Sequence, residues 1–409
     1  RRARRILPAL FFVMAVCLPF AWHWLTPNDL KDFGQSLIAV STFSSNILFW
    51  LESGYFDTTA ELKPLLHTWS LAVEEQYYIL FPVFLMLTWR LGIKWVLILL
   101  SILFFISLGL AEWGTQYATH PKIISGAFFL LPTRGWELLV GVFVAFYLKY
   151  NTQLKSHSLN QVLSLLGFGM IFYSIIIFDK TTPFPSLYAL IPTIGTGLLI
   201  LCTVPKTYIH KLLSLKFIVR IGLISYSAYL WHQPLFAFAR HRYLLELSDF
   251  LLIILCAASL AMAWLSWRFV EAPFRDKKKI KRSSIFLLSG FILFMFSGIG
   301  LLINFNSGFS DRLPTELQDS NLYKETKECN FKFSKTVIIE DLNKCISSAD
   351  IFLVGDSHAA SIGFALEKEL QKTGQNLVVL IHNGCLPIKN IGRKNQSQSC
   401  KNFIEFLYN

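Results

Sequence analysis

The sequence predicts a polytopic α-helical membrane domain followed by the first part of a smaller soluble α/β domain. Three observations carry that expectation. The 409 residues are 54% hydrophobic and 15% aromatic, with a mean hydropathy of +0.48, which excludes an ordinary soluble globular protein. Apolar runs of roughly 17–25 residues, the length that crosses hydrocarbon, recur up to about residue 305. Beyond Asn306 the chain turns polar: a short apolar strand pattern at Ile351–Val354 leads into a turn, Ala359 to Lys372 is helix-like and ends near Gly374, and Leu377–Ile381 reads as a second strand.

The apolar runs lie near 7–24, 36–51, 70–89, 95–112, 126–149, 160–178, 187–203, 218–240, 249–270 and 284–304. Lys and Arg gather in alternate connections: Arg1–Arg5, Arg90 with Lys94, Lys149 with Lys155, Lys206 to Arg220, and Arg275 to Arg282. Placing these segments on the cytoplasmic side satisfies every alternation from His67 onward. It puts His67 outside, together with everything after residue 304. Arg1–Arg5 inside and His67 outside require an odd number of crossings between them, yet two apolar runs lie there. The second, Ser36–Leu51, is short and dotted with Ser and Asn, so it reads as interfacial or re-entrant. About nine spans remain. The net charge of +12 sits largely in the inner loops, where insertion explains it, so nucleic acid is not an expected partner.

These shifts divide the chain into a membrane domain over 1–275, a linking transmembrane helix over 276–305, a linker over 306–340 and the start of a soluble domain over 341–409. The chain opens without Met inside a basic cluster and stops about a hundred residues into the soluble region, so it reads as a piece lacking both ends. Cys17, Cys202 and Cys256 fall in apolar runs and read as packing residues. Cys329, Cys345, Cys385 and Cys400 fall in the soluble tail. An even count on the outer side suggests two disulfides, Cys329–Cys345 with Cys385–Cys400 being the simplest of three pairings. Free structural thiols are the alternative.

Ionised groups in hydrocarbon cost several kcal/mol, so each one in a span is a candidate functional residue. His67 to Pro82 reads His-Thr-Trp-Ser-Leu-Ala-Val-Glu-Glu-Gln-Tyr-Tyr-Ile-Leu-Phe-Pro. On a helix His67, Ser70, Glu74 and Tyr78 share one face, and Glu75 points about a quarter turn away toward a neighbouring helix. Helical rise puts Glu74 about 10 Å below the outer surface. A wet helix start, favoured by the helix dipole, is the plainer reading of the two carboxylates. Arg134 and Glu137 are spaced i, i+3, which suits either a structural ion pair or an Arg fork that holds an anionic or carbonyl-bearing group. His232 lies in a polar-aromatic patch with Tyr226, Tyr229, Trp231 and Gln233, ahead of Pro234. His67, Glu74, Arg134, Glu137 and His232 are thus expected at similar depth on three spans. Arg2 and Arg5, also i, i+3, fit a phosphate-rich cytosolic ligand as well as they fit an ordinary cytoplasmic anchor. No metal-binding pattern occurs.

In order along residues 1–275, several blocks resemble the acyltransferase-3 family of membrane-bound acyltransferases. They are Arg-Arg-Ala-Arg-Arg-Ile-Leu-Pro-Ala, Gly-Tyr-Phe-Asp at 54–57, the His67 to Tyr78 block, and Arg-Gly-Trp-Glu-Leu-Leu-Val-Gly at 134–141. Ile-Ser-Tyr-Ser-Ala-Tyr-Leu-Trp-His-Gln-Pro-Leu and Phe-Val-Glu-Ala-Pro-Phe-Arg follow. The resemblance implies transfer of an acyl group, usually acetyl from cytosolic acetyl-CoA, to a sugar hydroxyl outside a bacterial inner membrane. No other cofactor is implied. Arg2 and Arg5 match the Arg-x-x-Arg motif tied to the acyl donor, and the family's catalytic His belongs to a helix upstream of it. Gln233 stands where the family usually has Trp. A sugar hydroxyl needs a base, and a thioester carbonyl turning tetrahedral needs a cationic or hydrogen-bonding partner, a role open to Arg134.

In the tail, Ile351-Phe352-Leu353-Val354-Gly355-Asp356-Ser357-His358 resembles the first block of SGNH-type hydrolases, which have a flavodoxin-like α/β fold. Ser357 would be the nucleophile, its own N–H contributing to the oxyanion hole, and Asn383-Gly384 is a second oxyanion candidate. The class carries its triad Asp and His in a late Asp-x-x-His block. None occurs between 358 and 409, as a truncated domain would have it, and neither His358 nor His382 takes that place. Such a fusion resembles the O-antigen acetylases and the peptidoglycan O-acetyltransferases. Envelope polysaccharide is the expected acceptor, and the bilayer and acyl-CoA are the other partners. Glu74, Glu137 and Ser357 are the catalytic candidates; Arg2, Arg5, His67, Arg134 and His232 are the substrate-binding ones. A flippase whose SGNH domain alone performs transfer and a membrane-anchored esterase are the rival readings.

Overall fold

Among the described residues of the computed structural model, seven helices are long and apolar enough to cross a membrane. The structure describes residues 2–53, 60–150, 156–179, 181–243, 247–276, 280–312, 330–332, 350–355, 366, 369–370 and 372–381. The chain forms two compact units, Arg1–Phe309 and Ser310–Asn409.

The first unit is all helical. It runs α1 (Arg2–Trp24), α2 (Pro27–Ser41), α3 (Ser45–Leu51), α4 (Thr68–Thr88), α5 (Ile93–Glu112), α6 (Pro121–Phe129) and α7 (Leu131–Tyr150). It continues through α8 (His157–Ile177), α9 (Leu190–Cys202), α10 (Tyr208–Leu213), α11 (Lys216–Arg242), α12 (Asp249–Ser266), α13 (Ala272–Arg275) and α14 (Arg282–Phe305). Polar residues set several starts. The Thr26, Ser156, Thr207 and Ser248 side chains accept from the first turns of α2, α8, α10 and α12. Seven of the nine expected spans are among these long helices; of the other two, α9 with its preceding 3-10 turn (Leu187–Cys202) is shorter, and α11 is long but polar-patched. The Ser36–Leu51 run breaks at Thr42–Ser44, where Phe43 has a positive φ of 53°, leaving α2 and α3 at 15 and 7 residues. Neither reaches span length.

The core sits around α1. Ile6, Leu10, Val13, Met14, Cys17 and Ala21 pack there with Phe33 and Leu37 of α2, Leu71 of α4, Leu230 and Phe238 of α11, and Phe296 of α14. Outer helices turn large apolar residues outward, such as Phe250 at 73% and Phe294 at 79% exposure. In water such a surface would drive association, and hydrocarbon is its natural solvent. Cys256 is likewise exposed on α12 and not packed inside as its apolar run suggested, whereas Cys17 and Cys202 are buried.

α14 joins this unit through a close crossing with α2. A Cβ added at Gly300 would lie 2.5 Å from the Gly34 carbonyl oxygen, so only glycine lets the two backbones meet. Gly300→Ala is expected to cost about 1–3 kcal/mol through overpacking and to lower the apparent melting temperature in detergent. Gly298→Ala, with open space around its Cβ, should leave that temperature unchanged. Equal melting of the two variants would show that the crossing is not tightly packed.

The second unit contains a parallel sheet of order β1-β3-β2, with β1 Asn330–Lys332, β2 Ile351–Gly355 and β3 Leu377–Ile381. β2 and β3 lie where the apolar pattern places them. Gly374, with φ +71°, turns the chain into β3 after the helical residues around Leu370, as the Gly position predicted. β1 falls inside the 306–340 stretch read as a linker. Three residues are too few for strand alternation to show in the sequence. Cys329, Cys345, Cys385, Cys400, Ser357 and Asn383-Gly384 lie outside the described residues.

Candidate active site

α11 holds the approach to α4 by side chains that seize backbone carbonyls. The Tyr229 hydroxyl donates to the His67 carbonyl, Gln233 Nε2 donates to that of Lys63 at 3.1 Å, and His241 Nε2 binds that of Leu62 at 2.9 Å. Because Tyr229 spends its proton on His67, Ser70 Oγ donates to Tyr229 at 2.7 Å. Gln233, the departure from the family pattern, is thus one of the hooks. Tyr229 stands at the midpoint of α11, about 20 Å from either end. α4 therefore begins beside the middle of α11. Glu74, expected about 10 Å below the outer surface, lies against Arg2 in the first turn of α1.

One to two turns beyond His67, α4 meets the first turn of α1. Arg2 Nη2 lies 3.1 Å from Glu74 Oε2 and 3.0 Å from Glu75 Oε1, and Arg2 Nε reaches Glu75 Oε1 at 3.2 Å. The guanidinium also stacks 3.6 Å from the Tyr78 ring centroid. The expected face of His67, Ser70, Glu74 and Tyr78 does look toward α11 and α1, and Glu75 bridges helices as its angle suggested. Arg2 and Glu74 are 36% and 39% exposed, so this cluster borders space open to a ligand. Arg5 is exposed and makes no hydrogen bond or ion pair among the described residues, with Glu271 in electrostatic reach. Glu271 itself is fully buried between Ser227 Oγ and Arg275, each 3.2 Å away.

On the other side of the α4 start, Arg134 Nη2 pairs with Glu137 Oε2 at 3.2 Å. Three rings from different elements surround the guanidinium: Trp69 of α4 at 5.3 Å, Phe128 of α6 at 5.9 Å and Phe184 at 4.6 Å. Cation–π contacts of about 0.5–2 kcal/mol each help to keep this charge in an apolar place. Arg134 Nη1 and Glu137 Oε1 are both buried and without a partner among the described residues. One donor and one acceptor thus remain for a third group.

Between these two ion-pair clusters lie the histidines. The ring centroids of His67 and His232 are 5.5 Å apart. His232 Nδ1 binds the Tyr229 carbonyl at 2.6 Å, which places its proton there and leaves Nε2 as an acceptor. His67 is buried, and neither ring nitrogen has a partner among the described residues. Arg134, His67, His232, Glu74 and Arg2 are thus strung along the first two turns of α4, and Glu137 adjoins Arg134. The Tyr229 and Ser70 hydroxyls, Glu75 and Glu271 belong to the same polar core; the sequence sets Ser70, Glu75 and Tyr229 beside the candidate residues without naming them as candidates, and Glu271 stands apart from them. Their signal is faint: each is a single polar residue in an apolar helix, and Tyr229 is bonded to a backbone carbonyl, that of His67, which carries no sequence signature. Among the described residues no group of His, Cys, Asp and Glu could hold a metal ion.

Residues 1–268 match the acyltransferase domain of the acyltransferase-3 family. The chain belongs to that family. Residues 319–409 match the SGNH domain that is fused to such acyltransferase domains. The chain is 31% identical over 293 residues to the peptidoglycan O-acetyltransferase OatA of Listeria monocytogenes, covering 67% of this chain and 45% of that one. It is 31% identical over 289 residues to the O-acetyltransferase OatA of Staphylococcus aureus, covering 68% and 47%. An uncharacterized Haemophilus influenzae protein is 32% identical over 204 residues, 49% of this chain and 83% of that one. The chain spans about half the length of the two O-acetyltransferases it matches. No solved structure matches it.

Proposed function

We propose that the protein is a membrane O-acyltransferase that moves an acetyl group from cytosolic acetyl-CoA to hydroxyls of a cell-envelope polysaccharide. The single observation that carries this reading is the string of charged and imidazole groups along α4, in the membrane unit of an acyltransferase-family chain that also matches an SGNH domain. Arg2 and Arg5 lie at the end of α1 that the basic-loop bias assigns to the cytoplasm. Arg5, exposed, suits the phosphates of the coenzyme, and Arg2 is held by Glu74 and Glu75 at the entrance to the polar core. The open Nη1 of Arg134 suits the oxyanion that forms when the thioester carbonyl turns tetrahedral. A lone pair such as that of His232 Nε2 suits the acceptor proton. The membrane is the bacterial inner membrane, and the SGNH unit lies on its outer side and completes the transfer through Ser357. The acceptor is O-antigen-type lipopolysaccharide, and the relatives' names make peptidoglycan the competing glycan.

Deleting the complete gene is expected to remove ester-linked acetate, read by NMR, from extracted lipopolysaccharide, and a plasmid copy should restore it. Separate extraction of peptidoglycan identifies which glycan changes. Unchanged acetate on both would sink the proposal, and increased acetate would make the protein an esterase. Inside-out vesicles supplied with labelled acetyl-CoA should capture label in the wild type and not in the deletion strain; label from another donor alone would refute the choice of acetyl-CoA.

A further inference from the structure

A cavity of about 470 Å³ opens between the second half of α1, the second half of α11 and the first turns of α12. Its walls are apolar, with Phe20, Trp231, Phe238 and Leu255 among them. Trp24 and Arg242 stand at the end where α1 and α11 finish. The groove uses the face of α11 that carries Trp231 and Leu235, whereas Tyr229 and His232 contact the His67 region. Leu251 and Leu255 form its rim on α12, beside the outward-facing Phe250 and Ile253. The rim is thus continuous with the surface that meets hydrocarbon.

The charges at the α11 end are unevenly satisfied. Arg240 pairs with Glu61 at 3.2 Å, and His241 faces Asp29 at 3.9 Å. Arg242 has no carboxylate within ion-pair distance among the described residues, and its guanidinium sits 6.0 Å from the Trp24 ring centroid. A cation above an apolar slot that opens toward lipid matches one chemistry: an anionic head group over a hydrocarbon chain. A purely apolar occupant would fill the slot and leave the Arg242 charge unanswered.

We propose that this groove binds one anionic glycerophospholipid of the surrounding bilayer, an acyl chain lying between α1, α11 and α12 and its phosphate on Arg242. The Trp24 ring, at the same end, belongs at the head-group level where aromatic residues gather. A lipid seated there supports the face of α11 opposite Tyr229 and His232, so its loss should loosen the clamp on α4.

Native mass spectrometry of the complete protein, released from nanodiscs of equal phosphatidylglycerol and phosphatidylethanolamine, tests the site. The wild type is expected to retain one phosphatidylglycerol, favoured about fivefold over phosphatidylethanolamine, the scale of one basic residue near a membrane surface. Arg242→Gln should erase that preference, and Leu255→Trp, which fills the slot from its rim, should eject the lipid. Lys216→Gln, at the far end of α11, should change neither and serves as the folded control. Retention without head-group preference, an unaltered preference in Arg242→Gln, or no retained lipid in the wild type would each overturn the proposal. The last result is also what a protein helix covering the groove in the complete chain would give.

Discussion

Arg2→Ala is expected to lower acetate on the envelope glycan at least about tenfold, a barrier increase of ~1.4 kcal/mol. The guanidinium neutralises two adjacent carboxylates, uses three nitrogen–oxygen contacts to do so and caps the Tyr78 ring. Without it Glu74 and Glu75 face each other and an apolar bundle unpaired. The cost to the fold is about 2 kcal/mol, between that of exposed and of fully buried pairs, because the cluster is partly open. Arg2→Lys should not rescue activity, since an ammonium cannot fork across both side chains. Glu75→Gln should hurt more than Glu74→Gln: Glu75 is the less exposed, at 20%, and receives both Nε and Nη2. Acetate per unit of membrane-inserted protein is the readout, with elution as a sharp monomer or oligomer peak in detergent as the folding check. Wild-type acetate in Arg2→Ala would remove this cluster from the mechanism.

The parts of this architecture that depend on local chain chemistry were legible, and those that depend on how helices pack were not. Span positions follow from apolar length, and the Arg134–Glu137 pair follows from i, i+3 spacing on one helix. β2 and β3 follow from short apolar runs bounded by Gly355 and by the turn at Gly374. Hydropathy does not reveal where a helix begins relative to the bilayer. Counting residues from the start of an apolar run puts Glu74 about 10 Å below the outer surface, whereas the carbonyl hooks of α11 hold the start of α4 beside the middle of that helix. That placement is what lets Arg2, at the opposite end of α1, reach Glu74 and Glu75. Tyr229 and Gln233 sit i, i+4 on α11, a spacing that marks one face as polar. The partners of that face are backbone groups, which every residue possesses.

Ser357→Ala is expected to reduce glycan acetate by at least about a hundredfold while leaving label from acetyl-CoA able to reach the outer side of the membrane. The support is the sheet. β2 and β3 run parallel with Gly355 opposite Ile381, so the two strands end together, and the carboxyl ends of parallel strands are where α/β folds place their sites. Ser357 follows two residues after one of these ends, and Asn383 two residues after the other. A relay through Ser357 separates two steps that a single-site enzyme would merge. Arg2→Ala should then block entry of label from the cytoplasmic side, whereas Ser357→Ala should strand it short of the glycan. Full acetate in Ser357→Ala would place transfer in the membrane unit, leaving the histidines and Arg134 along α4 to complete the chemistry alone. Loss of label at both steps in Ser357→Ala would mean that the acyl group crosses only when its final acceptor is ready, and the two units would have to act as one catalyst.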